Sequence, residues 1–185
     1  ESGMRGRLSV LNRQSGAWDK GRLPVESLQS EVDWQGERLQ LDGFLLGLAG
    51  GGRLKGQGAY TSGQLALDLA ASGIDACAFD SRLLSTRLAG ALRARIGGEQ
   101  QALEVDLRDA QLALNAQATV SPEAVNIARL QLAHGEARLV AQGRLELGGE
   151  RRFSGKGTLQ RFDPSRFLPA KETVRSVINA NFDVT

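Results

Sequence analysis

The feature that most constrains this chain is a regular alternation of apolar and polar residues, which is clearest between Ala137 and Leu159. From Ala137 to Leu147 the odd positions hold alanine, leucine and glycine, whereas the even positions hold mostly arginine, glutamine and glutamate. Two glycines then interrupt the pattern, and it resumes at Phe153. A period of two places the apolar side chains on one face of a β-strand. The stretch therefore predicts a β-hairpin with one apolar face.

The same alternation recurs along the chain and predicts about a dozen strands with almost no helix. The apolar positions change parity near Gly43, where we expect a bulge, and at Arg108-Asp109, where we expect a turn or a bulge. One stretch leaves two structures open. Leu84, Leu88 and Leu92 share the parity of a strand, but they also have the four-residue spacing of a helix.

The second half of the chain contains a compact motif for a corner, FDPSRF, at residues 162–167. Asp163 is suited to cap a short helical turn, and Pro164 suits the first position of that turn. Phe162 and Phe167 have the spacing of a hydrophobic staple, in which two apolar side chains pack across the cap. The motif predicts a structural corner after a strand.

Three pairs of similar segments occur in the same order in the two halves of the chain, at similar offsets. This order predicts a degenerate repeat, with approximate copies at 39–98 and 130–185, and a quasi-one-dimensional architecture. We expect residues 1–185 to be one continuous segment of a longer repeat protein. The first pair is Leu39-Gln40-Leu41 with Leu130-Gln131-Leu132, at an offset of 91 residues. The second matches Arg53-Leu54 and Gln57-Gly58 to Arg138-Leu139 and Gln142-Gly143, at an offset of 85. The third matches Ile74, Asp75 and Phe79 to Phe162, Asp163 and Phe167, at an offset of 88.

Composition and charge exclude several classes of protein. The net charge of +2 is too small to favour a nucleic-acid partner. The single cysteine, Cys77, has no partner for an internal disulfide and no neighbouring cysteine for a metal site. No run of about 18 apolar residues exists that would predict a membrane span. We expect neither a metal nor a cofactor.

Glycines on the apolar face, such as Gly56, Gly58, Gly143, Gly155 and Gly157, permit sharp curvature of a strand. A long antiparallel sheet bent around its apolar face forms a trough, so the predicted fold class is all-β, a β-taco or β-solenoid groove with an aliphatic concave face. Such a trough must either close on itself or hold apolar guests, of which acyl chains are the natural choice. The residues expected to line the groove are Leu39, Leu41, Leu65, Leu67, Leu69, Leu112, Leu114, Leu130, Leu132, Leu139, Leu145 and Leu147.

The Gly-rich two-strand unit and the FDPSRF motif that follows it resemble the AsmA-like and TamB family of bridge-like lipid transfer proteins. The resemblance covers nearly the whole chain as a pattern, and its specific part is the corner motif with Phe162, Asp163, Pro164 and Phe167, followed by the strand that contains Ile178-Asn179-Ala180. The first copy of the corner has Ala76 where the motif has proline.

The resemblance implies a non-enzymatic segment of an envelope-spanning protein of a diderm bacterium. Its parent would be anchored in the inner membrane and would cross the periplasm. Its hydrophobic groove would carry phospholipid acyl chains between the inner and outer membranes. The family further implies a TamA-type outer-membrane barrel as a partner in the assembly or translocation of outer-membrane proteins.

Other functions have weaker support in the sequence. His134, the only histidine, is expected at a turn and has no nucleophile paired with it in sequence, so no enzyme is predicted. Arg87, Arg93 and Arg95 share one parity and are expected on a solvated polar face. The alternative is a structural or chaperone β-solenoid that docks partners, or unfolded outer-membrane protein strands, through an exposed strand edge.

Overall fold

The computed structural model describes residues 3–148, 152–166 and 176–185, and their strands form a single open, curved antiparallel sheet. Each of the twelve strands pairs with the strands before and after it in sequence, so the strand order is the chain order. The strands are β1 (Met4–Leu11), β2 (Val25–Gln35), β3 (Arg38–Leu48), β4 (Arg53–Thr61), β5 (Gln64–Ile74), β6 (Leu88–Ile96), β7 (Gln101–Arg108), β8 (Leu112–Val120), β9 (Ala124–His134), β10 (Ala137–Glu146), β11 (Phe153–Phe162) and β12 (Ile178–Val184).

Four short 3-10 turns accompany the sheet, and the described residues contain no α-helix. The prediction of an all-β chain with about a dozen strands is confirmed. The turns are η1 (Trp18–Lys20), η2 (Ala49–Gly51), η3 (Ala76–Ala78) and η4 (Pro164–Arg166).

The register of the sheet keeps the apolar residues of successive strands on one face. Leu107 lies opposite Leu114, Leu114 opposite Leu132, Leu132 opposite Leu139, and Leu139 opposite Leu159. Residues directly opposite in an antiparallel pair share a face, so these five leucines form a row across β7 to β11. We call the face that carries them the apolar face.

The opposite face of the sheet carries the charged residues, and it is the polar face below. Arg93 on β6 contacts Asp68 on β5 at 3.2 Å and Glu104 on β7 at 3.6 Å. All three side chains are more than half exposed, so these ion pairs are solvated and contribute little to stability.

A bulge on β3 preserves the apolar face where the sequence changes parity. Leu41 pairs with Gly58 and Phe44 with Gly56, so β3 has one more residue than β4 over this interval. Gly43 has a φ of 58°, a left-handed conformation that glycine adopts without strain. The bulge returns the later apolar residues of β3 to the same face, as the sequence predicted.

A cluster of buried apolar side chains lies at one end of strands β3 to β7. They are Leu48, Leu54, Leu69, Ala71, Ile74, Leu88 and Leu107, each 8% exposed or less. The turns close this end, because the Trp18 ring packs edge-on against the Phe79 ring with centroids 5.5 Å apart, and the Trp18 amide donates to the Phe79 carbonyl at 2.9 Å. By contrast, every residue of β1 is exposed.

Several sequence predictions need correction in detail. The stretch 84–96 is a strand only from Leu88, because turns occupy the residues before it, and the helical alternative is wrong. The turn or bulge expected at Arg108-Asp109 is a turn that begins after Arg108, the last residue of β7, and Asp109 binds its backbone. Trp34 is 50% exposed at the β2–β3 hairpin, where its indole nitrogen donates to the Gly36 carbonyl. Phe167 lies outside the described residues.

We predict that Gly56→Ala destabilises the sheet, because a Cβ on Gly56 would collide with the Asp68 carbonyl oxygen on β5. The expected loss is about 1–3 kcal/mol of unfolding free energy, as in other overpacked sites. Chemical denaturation followed by circular dichroism measures it. Gly6→Ala on β1 is the control, since no atom lies within 4 Å of its added Cβ, and it should change stability by no more than about 0.5 kcal/mol. Equal effects of the two substitutions would contradict the prediction.

Candidate functional site

An apolar cavity with a volume of about 1020 Å³ lies between the two corners of the chain. Its floor is formed by the ends of β6 to β9, and its walls come from the segments that follow β5 and β11. The lining residues are Ala76, Leu83, Leu84, Ser85, Thr86, Arg87, Leu88, Ala89, Arg108, Asp109, Ala110, Gln111, Leu112, Leu114, Leu132, His134, Phe162 and Pro164.

The first corner is held by Asp75, which follows the last residue of β5. One carboxylate oxygen accepts hydrogen bonds from the amides of Cys77 at 3.1 Å and Thr86 at 3.0 Å, and the other accepts from the Ser85 hydroxyl at 3.1 Å. The Thr86 hydroxyl donates to the Ile74 carbonyl and accepts from the Ala76 amide, both at 2.9 Å. Asp75 and Thr86 therefore close residues 75–86 into a loop that places Leu83 and Leu84 against the cavity.

The second corner has the same cap at the equivalent place after β11. Asp163 is 8% exposed, and one of its carboxylate oxygens accepts from the Ser165 amide at 3.0 Å and the Ser165 hydroxyl at 2.7 Å. Asp75 and Asp163 therefore hold their 3-10 turns through the same kind of hydrogen bond from the backbone amide two residues on. Phe162 and Pro164 line the cavity, so both corners face one space, which the sequence did not predict.

The residues predicted to line a groove divide into two groups. Leu112, Leu114 and Leu132 form part of the cavity floor. The other nine leucines lie outside the cavity lining, and eight of them lie on the apolar face by register. Leu147 follows the end of β10 and is 41% exposed. The members on the apolar face are Leu39 and Leu41 on β3, Leu65, Leu67 and Leu69 on β5, Leu130 on β9, and Leu139 and Leu145 on β10.

The three residues of the predicted first corner stabilise the structure next to the cavity but do not line it. Ile74 belongs to the buried cluster, Phe79 packs against that cluster, and Asp75 binds the loop backbone. Sequence reasoning missed Leu83 and Leu84 in the lining. The parity and spacing of Leu84 favoured a strand or a helix, so the sequence offered no local signal of a loop there.

Asp109 organises the rim of the cavity. One of its oxygens accepts from the amides of Gln111 and Leu112, both at 2.8 Å, and the other accepts from the Arg87 amide at 3.3 Å. Burial raises the pKa of the Asp109 carboxyl, but the three hydrogen bonds lower it by more, and the electrostatic effect of His134 lowers it further. The pKa is therefore below its ordinary value, and Asp109 joins the start of β6 to the β7–β8 turn as a carboxylate.

The described residues show no arrangement that would hold a metal ion, since no three histidine, cysteine, aspartate or glutamate side chains converge in them. His134, expected at a turn, is the last residue of β9 and lines the apolar cavity. In this part of the chain no helix has the length and apolarity needed to cross a bilayer.

Comparisons with protein families, with curated proteins and with solved structures gave no match. The sheet and the cavity are therefore the observations on which a function rests.

We predict that Asp75→Ala lowers the unfolding free energy by about 1–2 kcal/mol, because it removes the acceptor for three hydrogen bonds at the corner. Urea denaturation gives the value. Asp68→Ala, which removes only an exposed ion pair with Arg93, is the matched control and should cost less than about 1 kcal/mol. A control loss as large as that of Asp75→Ala would show that the corner is not a special site of stabilisation.

Asp109 should make stability depend on pH. Because folding lowers its pKa, its contribution is fully present above the ordinary value of 3.8 and is lost as the pH falls through the lower folded-state value. Asp109→Asn should therefore reduce stability at about pH 6, and its difference from the wild type should shrink at about pH 2. Urea denaturation at both pH values tests this. A difference that stays constant or grows on acidification would contradict it.

Proposed function

We propose that this chain is a non-enzymatic hydrophobic-groove segment of an envelope-spanning, TamB-like protein that carries phospholipid between the inner and outer membranes. The observation that carries the proposal is the apolar face, which continues from β1 to β12 in a single sheet across several bulges. All described strands belong to that one sheet, so none forms a second sheet to cover the face.

Exposure of the apolar side chains supports an apolar guest. Leu8, Ile96, Leu103 and Phe153 lie on the apolar face, and each is 40% exposed or more. Burying apolar surface is worth roughly 25 cal/mol per Å², so contact with acyl chains would remove an energetic cost that water imposes on this face. In the proposal the apolar face is the concave inside of the curved sheet, which makes a β-taco.

Transport by such a groove needs no bond to be made or broken. Acyl chains exchange the bilayer interior for aliphatic side chains, and the row of leucines across β7 to β11 lets them slide between neighbouring strands. The proposed parent is anchored in the inner membrane, crosses the periplasm and engages a TamA-type outer-membrane barrel. The open edges of β1 and β12 are suited to pair with further strands of that parent.

A second candidate function is favoured by β1, whose residues are exposed along the whole strand. An edge strand of this kind offers its backbone for strand addition, so the segment would serve as a structural or chaperone β-solenoid that holds unfolded outer-membrane protein strands. The two functions use different surfaces, because the chaperone needs the edge and the lipid carrier needs the face.

The deciding variants exploit two neighbouring cross-strand pairs of β8 and β9. Leu114 lies opposite Leu132 on the apolar face, and Ala113 lies opposite Ala133 on the polar face. We expect phospholipid to copurify with the wild type, as seen by native mass spectrometry and lipid extraction. The double substitution Leu114→Glu with Leu132→Lys should abolish it, because charged groups would enter the apolar groove.

The control, Ala113→Glu with Ala133→Lys, adds the same charges to the same strands on the other face and should retain lipid. Circular dichroism must stay β-rich in both variants. A wild type that carries no phospholipid and takes up none from vesicles would overturn the proposal and leave strand addition as the candidate to test.

A further inference from the structure

Two arginines lie at the rim of the apolar cavity without ionic partners. Arg87 immediately precedes β6, and Arg108 is the last residue of β7. Both residues are exposed and line the cavity at its rim. Arg108 lies opposite Ala113 on the polar side of the sheet, so it borders the cavity at the end of β7 and not on the apolar floor. Neither guanidinium group forms a hydrogen bond or an ion pair with any described residue, unlike Arg93, which contacts two carboxylates on the polar face.

The nearby carboxylate does not neutralise these arginines by contact. The oxygens of Asp109 are bound by the amides of Gln111, Leu112 and Arg87, so they hold the rim backbone instead of a guanidinium group. The same bonds place residue 87 beside the β7–β8 turn, next to Arg108. The rim therefore carries two positive side chains whose donors remain available.

This combination is characteristic of a site for an anionic amphiphile. Ligand pockets are mostly apolar, with a few polar groups that fix orientation, and have volumes of roughly 300–1,000 Å³. The cavity, at about 1020 Å³, is at the upper end of that range. Its floor offers Leu112, Leu114 and Leu132 to an alkyl chain, and guanidinium groups match phosphate oxygens in charge and in hydrogen-bonding geometry.

We propose that the cavity between the two corners binds a phospholipid with a net negative headgroup, with an acyl chain in the cavity and the phosphate at Arg87 and Arg108. The inference rests on the proposed function, because it requires lipid on the apolar face. It adds selection by headgroup charge at one place along the groove. The site favours anionic lipids over zwitterionic ones, and this preference weakens as salt concentration rises.

The test measures binding of the 185-residue chain to vesicles of phosphatidylglycerol and, separately, of phosphatidylcholine with the same acyl chains. Lipid transferred to the protein is counted by native mass spectrometry. We expect the wild type to prefer phosphatidylglycerol about tenfold or more, because both lipids offer the same phosphate but only phosphatidylcholine adds a cationic choline group beside the two guanidinium groups. Arg87→Gln with Arg108→Gln should reduce the preference to less than about twofold, while uptake of phosphatidylcholine persists.

Arg95→Gln with Arg129→Gln is the matched control. Both arginines are exposed strand residues on the polar face, outside the cavity lining, so their loss removes the same charge but should leave the preference intact. Arg87→Lys with Arg108→Lys keeps the charge and should retain most of the preference. Glycerol phosphate alone, without an acyl chain, should fail to displace bound lipid.

The outcomes separate this inference from the proposed function. Equal uptake of both lipids by the wild type would overturn the headgroup site and leave lipid carriage standing. Loss of preference in the control variant would assign it to overall charge and would also overturn the site. Displacement by glycerol phosphate would make the rim a site for free phosphate esters. Uptake of neither lipid by the wild type would overturn both proposals.

Discussion

The structure depends on one apolar face that continues across the strands. Most of the large aliphatic residues of the sheet lie on it, and bulges such as the one at Gly43 restore the face where the register shifts. In most antiparallel sheets such a face is buried by a second sheet or by helices. Here all described strands lie in one sheet, and no α-helix is found among the described residues. The cover for this face must therefore come from curvature of the sheet, from other segments or from a ligand.

The two corners show how a single sheet gains local rigidity. Asp75 and Asp163 each follow the last residue of a strand and cap a 3-10 turn. Their hydrogen bonds fix the conformation of the segments that form the cavity walls. The buried cluster around Ile74 and Leu88 stabilises the sheet at the same end. The cavity is thus bounded by the best-packed part of the molecule, while β1 and β12 remain largely exposed. This arrangement suits the fixed lipid site that we propose.

Much of the sheet could be predicted because alternation is a local signal. The strands, the bulge at Gly43 and both aspartate caps follow from residues a few positions apart. The cavity could not be predicted, because its walls lie about 80 residues apart in the chain and meet only through the accumulated curvature of the intervening strands. Leu84 shows the same limit on a smaller scale. Its parity fits β6, but the hydrogen bonds between Asp75 and Thr86 hold it in a loop.

The central claim is that lipid, and not protein, covers the apolar face. A phospholipid with a photoreactive group in its acyl chain tests this most directly when the labelled residues are mapped by peptide mass spectrometry. Along β8 the account predicts labelling with a period of two, on Leu112, Leu114 and Ala116 but not on Ala113, Asn115 and Gln117, because only the first set lies on the apolar face. Labelling of both sets alike, or of neither set, would contradict it.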